Sequence, residues 1–137
     1  MRTRGVAAIG VVLLVLVAAA LLLAGCGSQG PHLPKATVSV VLGPKPRTVT
    51  ISLTSSGSGV GVAEVVLTHP DRHRTIFGNG VLEDNIGVGF TSPKLPAGDY
   101  KYTIYAIPTA TTPPDAAFPD SARTEKNVFY RGNFTIH

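Results

Sequence analysis

TVTISLT, residues 48–54, alternates without a break. Val49, Ile51 and Leu53 fall on one side of an extended chain and Thr48, Thr50, Ser52 and Thr54 on the other, because successive side chains of a strand point to opposite faces. The pattern predicts a strand with one apolar and one polar face. The same period recurs on both sides of it. Val38, Val40 and Leu42 align in TVSVVL, Ala63, Val65 and Leu67 in VAEVVLT, and Ile86, Val88 and Phe90 in IGVGF. Tyr100, Tyr102, Ile104 and Ala106 share a face of YKYTIYAI, and Val128, Tyr130, Phe134 and Ile136 share one of VFYRGNFTI. In RTIFGNGVL, Asn79-Gly80 tolerates positive φ, which predicts a hairpin turn there.

Beyond residue 24 no segment repeats at i, i+3, i+4, and glycine, proline and β-branched residues are too dense for a long helix. About seven short strands separated by turn signals predict an all-β chain folded as an antiparallel two-sheet sandwich. The longest stretch without strand pattern, residues 108–127, joins the last two strands. Rich in proline and threonine, it is expected to be a mobile loop or a partner contact. Phe118 within it would either fold back as a plug or be presented outward.

The N-terminal part differs. Arg2 and Arg4 precede an uncharged apolar run at residues 6–24, the layout of an export signal with a basic start and a hydrophobic helix. About twenty apolar residues can also span a bilayer, so length alone leaves a permanent anchor open. The run ends in Leu23-Ala24-Gly25-Cys26, and Cys26 is the only cysteine of the 137 residues. This tetrapeptide resembles the bacterial lipobox. The resemblance implies cleavage between Gly25 and Cys26, a covalent diacylglyceryl group and fatty acyl chain on Cys26, and attachment to the outer face of the bacterial cytoplasmic membrane. It divides the chain into a signal peptide, 1–25, a lipidated tether, 26–36, and a sandwich domain, 37–137. With each buried methylene worth about 0.8 kcal/mol, two or three acyl chains hold a domain on a bilayer.

Cleavage also removes chemistry. Met1 is the only methionine and there is no tryptophan, so residues 26–137 would hold neither, and the single cysteine excludes an internal disulfide. Without Arg2 and Arg4, the twelve basic residues fall to ten against eight acidic ones, a formal +2 too small to imply nucleic acid.

LPAGDYKYTIYA, residues 95–106, resembles the opening of the sixth strand in immunoglobulin-like and fibronectin-III-like domains, where a Leu, a Pro/Gly turn and a Tyr lead into the strand. The resemblance implies that the Tyr100 hydroxyl turns back onto the upstream backbone, with Leu95 beneath the turn and Gly98 bending the chain. The disulfide and core tryptophan of antibody domains are absent.

No reactive constellation converges. His69, Asp71 and His73 in THPDRHR form the best candidate metal cluster, since i, i+2 and i+4 share a face of an extended segment. Against it, Pro70 favours a turn and Arg72 and Arg74 repel a cation. A blue-copper site needs a free cysteine, Glu83-Asp84-Asn85 fits a turn as well as a calcium loop, and neither a Gly-x-Ser-x-Gly elbow nor a phosphate loop occurs. Tyr105, Ile107 and Phe129 would face away from the core as an apolar patch for a cell-envelope protein partner. The chain therefore reads as a membrane-anchored, non-catalytic binding or envelope-structural module without a cofactor. The alternatives are a small-ligand or lipid carrier with an inter-sheet cavity and, less favoured, a metal-dependent enzyme.

Overall fold

The computed structural model describes residues 30–137. The apolar run with its signal helix, Gly25, Cys26 and the first residues of the tether lie outside the described residues.

The strands are β1 (Lys35–Leu42), β2 (Val49–Ser56), β3 (Gly61–Thr68), β4 (Arg74–Leu82), β5 (Gly87–Thr91), β6 (Gly98–Pro108) and β7 (Val128–Ile136). They form two antiparallel sheets, one ordered β1-β2-β5 and the other β4-β3-β6-β7. Val49, Ile51 and Leu53 of β2 are buried against Ala63, Val65 and Leu67 of β3 and Tyr100, Tyr102, Ile104 and Ala106 of β6, so the sheets pack face to face. The alternation in TVTISLT is the device that builds this interface: the apolar residues of β2 are at most 1% exposed. At about 25 cal/mol per Å² of apolar surface withdrawn from water, such a layer is the main source of stability.

The pattern of β4 differs from the sequence reading. Asn79 and Gly80 sit inside an unbroken strand rather than at a hairpin turn, paired with Glu64 and Ala63 of β3. Their neighbours explain it. A Cβ on Gly78 would lie 2.3 Å from the Phe90 ring, and one on Gly80 would lie 2.7 Å from Val88, both on β5 of the facing sheet. The glycines make room for side chains arriving from the other layer.

The register of β7 also differs. Ile104 pairs with Tyr130 and Tyr105 with Val128, leaving Phe129 as the extra residue of a bulge. A bulge shifts the alternation by one, so Phe129 packs against the inter-sheet core and Val128 joins the opposite face. Tyr130 is 45% exposed and stacks on Tyr102, and Leu42, at 52%, leaves the core at the end of β1. The fold begins slightly before Thr37: Leu33 packs on the core and β1 starts at Lys35.

The connections gather at two poles. Where the chain comes in, Lys35 pairs with Ser56 and His32 Nε2 lies 3.1 Å from Ser58 Oγ, so this end lies beside the β2–β3 turn. At the other pole, the backbone N–H of Leu95 donates to Arg47 at 2.8 Å, tying the β5–β6 turn to the β1–β2 turn. A Cβ on Gly98, the first residue of β6 at φ +146°, would lie 2.6 Å from Pro70 of the β3–β4 turn.

Candidate functional site

β3 is buried on both faces, which a half-exposed strand would not be. The covering layer is the connection between β6 and β7. Its second half carries 3₁₀ turns at Asp120–Ala122 and Glu125–Asn127, and it lays Phe118 and Ala122 on Val62, Val66 and Tyr105. Phe118 thus folds back onto the outer face of the four-stranded sheet. Tyr105, expected outside, is only 6% exposed and meets Phe118 with ring centroids 6.5 Å apart. Phe129 lies on the opposite face. Tyr105 and Phe129, expected to share one exposed patch with Ile107, are therefore divided between two interiors.

The strap is held by a charge that sequence reasoning missed. Glu64, in the middle of β3 and 1% exposed, accepts from Arg123 through Nε and, at 3.1 Å, through Nη2. Arg123 Nη1 also donates to Asp120 at 2.7 Å. With its amide turned to suit its neighbours, Asn79 donates to Glu64 Oε2 at 3.0 Å. The two carboxylates hold the Arg123 guanidinium firmly protonated, its pKa raised chiefly by the bond to Glu64. The only signal in the sequence was one acid inside the apolar run VAEVVLT.

His69, Asp71 and His73 do come together, in the β3–β4 turn. The imidazoles stack with centroids 3.8 Å apart, and Asp71 accepts from both the backbone N–H and the ring of His73. His69 Nε2 lies 2.8 Å from Thr75 Oγ1. These contacts occupy one ring nitrogen of each histidine and one carboxylate oxygen of Asp71. Among the described residues no group of three or more His, Cys, Asp or Glu side chains is placed to hold a metal ion. Partial burial and the neighbouring His73 lower the His69 pKa from its ordinary 6.5, while hydrogen bonds from His73 lower that of Asp71.

The same turn abuts Tyr100, which meets the His69 ring edge-on at 5.3 Å. Tyr100 is fully buried, and its hydroxyl donates to the Pro96 carbonyl at 2.8 Å, the bond its position above the Pro/Gly turn implied. Leu95 is buried beneath that turn. Desolvation, followed by the proximity of Tyr130, pushes the Tyr102 pKa up to about 12.

Concavities open among the described residues of this half of the molecule. A cleft of about 280 Å³ opens between β4 and the end of β5, lined by Leu67, His69, Phe77, Ser92 and Leu95 among others. Two grooves of about 490 Å³ each flank the β1–β2 turn and share Lys45, Pro46 and Thr48.

No family model matches the chain, and no curated protein matches it. Among solved structures, beta-glucosidase 3B from Thermotoga neapolitana in complex with glycerol is similar at 10% identity and a TM-score of 0.45, over 78% of this chain and 16% of that one. The same enzyme in complex with glucose gives 11% identity and a TM-score of 0.45, over 77% and 16%. The chain thus spans about one sixth of those enzyme chains.

Proposed function

We propose that the chain is an extracytoplasmic lipoprotein, held by Cys26 on the outer face of the bacterial cytoplasmic membrane, whose immunoglobulin-like sandwich serves as a non-catalytic binding or envelope-structural module. Strand order supports the fold family. Lettering β1 to β7 as A, B, C, C′, E, F and G gives A-B-E facing C′-C-F-G, a pattern within the immunoglobulin-like group, and Tyr100 makes the tyrosine-corner bond. The lipobox-like Leu23-Ala24-Gly25-Cys26 supports the anchor.

One observation carries the reading: the chain comes in beside the β2–β3 turn, whereas the two large grooves lie at the opposite pole. A module tethered at its N-terminal end would present those grooves away from the membrane. Labelling growing cells with an alkyne fatty acid tests the anchor. Label on the wild-type chain, lost in Cys26→Ser, is the expected result, together with a mass lacking residues 1–25. An unlabelled chain retaining those residues would overturn it.

The cleft between β4 and β5 favours a second reading, carriage of a small apolar molecule. Its volume lies just under the ~300–1,000 Å³ of ordinary ligand pockets. Benzene titration should then shift the NMR signals of Leu67, Phe77 and Leu95 selectively, and unmoved signals would dismiss carriage.

A further inference from the structure

We propose that the pole formed by the β1–β2, β3–β4 and β5–β6 turns is a binding site for an extended polymer of phosphodiester-linked units. Lys45, Arg47 and Lys94 line the two grooves there, and no aspartate or glutamate does. All three are exposed, and none makes an ion pair among the described residues. Arg72 adds a fourth exposed cation from the β3–β4 turn. The acids of this pole are engaged: Asp71 accepts from His73, and Asp99 accepts from Thr135 Oγ1 at 2.7 Å. The opposite pole carries Glu83 and Asp84 in the β4–β5 turn. Charge is thus sorted along the sandwich.

The backbone gives an independent reason. Among the described residues, three other than glycine have positive φ: Arg47 at 60°, Arg72 at 73° and Asn85 at 59°. Asparagine suits that conformation, whereas a long side chain is costly there. Both arginines stand at the same pole, in turns where glycine would be easier. Arginine at two strained positions points to a use for the side chain rather than for the turn.

The site is also preformed. Thr48 Oγ1 donates to the Lys45 carbonyl at 2.7 Å, the Ser92 N–H donates to Val49 at 2.8 Å, and the Val49 N–H donates to Ser92 Oγ at 2.9 Å. Fixed loops lose little entropy on binding.

The ligand class follows from what the grooves offer. Cations spread over three turns suit a repeating charge better than one small anion, and lysines act as point charges toward phosphate. No Phe, Tyr or Trp lines either groove, so bases would find no stacking platform. The prolines, Leu42 and Ile136 instead give apolar walls for aliphatic or sugar-like units between phosphates. That this pole faces outward rests on the lipoprotein reading; its charge and geometry do not.

The test is calorimetric titration of the full chain in zwitterionic micelles with short poly(glycerol phosphate). Binding should weaken steeply with added salt. Lys45→Ala/Lys94→Ala should raise Kd by roughly tenfold or more, and the control Lys35→Ala/Lys126→Ala should leave it unchanged. Arg47→Gly/Arg72→Gly separates binding from folding, since it should keep or raise Tm while weakening binding. Cys26→Ser should bind like wild type, so loss of the anchor and loss of the site are read separately. Absence of binding, or equal binding by the Lys45/Lys94 variant, overturns the proposal. So does equal or tighter binding of polyglutamate or oligothymidylate, which would assign the pole to carboxylate polymers or nucleic acid.

Discussion

Arg123, on the strap between β6 and β7, donates through two nitrogens to both carboxylate oxygens of Glu64 at the centre of β3, across 59 positions of sequence. The pair joins the least local segment of the chain to the strand buried on both faces. Its partners are unequally covered, with side-chain exposures of 24% for Arg123 and 1% for Glu64. Arg123→Met should cost roughly 3 kcal/mol, because it strands a carboxylate in a dry site. Glu64→Leu/Arg123→Met should recover most of that loss. Urea unfolding of the two variants measures the difference; equal destabilisation would show that the strap is held by Phe118 alone.

Tyr100→Phe removes the hydroxyl that donates to the Pro96 carbonyl at 2.8 Å and leaves the ring in place. About 1 kcal/mol of stability should go with it. Thermal unfolding reads the change, and in a crystal structure of the variant the 95–98 turn should loosen while the Tyr100–Phe134 stacking position, with centroids at 5.2 Å, is kept.

Gly78→Ala should destabilise by about 1–3 kcal/mol by driving a methyl into the Phe90 ring, with 2.3 Å available. Phe90→Leu in the same chain should return part of it. If Gly78 served a turn instead, the second substitution would deepen the loss.

Stability should also respond to acid through the β3–β4 turn. The folded-state pKa of His69 lies below its ordinary 6.5, so the unfolded chain takes up the proton first. The contribution is therefore complete above about pH 6.5 and declines as pH falls through the folded value. Asp71, also lowered, acts in the same direction below its ordinary 3.8. Tm measured from about pH 7 to about pH 5 should drop less in His69→Gln than in wild type.

Period-two alternation made the strands legible, and the Leu95-to-Tyr100 segment made its own hydrogen bond legible, because both are local patterns. What escaped depends on distant partners. Asn79-Gly80 carries the composition of a turn, but Phe90 and Val88 of the facing sheet set the need for glycine there. A one-residue bulge exchanged the faces of Val128 and Phe129. Tyr105 alternated outward correctly, yet the strap covers that side. Glu64 lies on that same covered side, between Val62 and Val66. The basic grooves combine the β1–β2 turn with the β5–β6 turn and the end of β7, and the small net charge hid a segregation visible only in space.

β3 is hydrogen-bonded to β4 on one edge and to β6 on the other, while the facing sheet covers one surface and the strap much of the other. Water can reach its amides only after a neighbour has moved on every side. Hydrogen exchange should therefore find Val62 to Leu67 among the last deuterated, with an opening free energy equal to that of the whole fold, and the edge strand β1 well ahead of it.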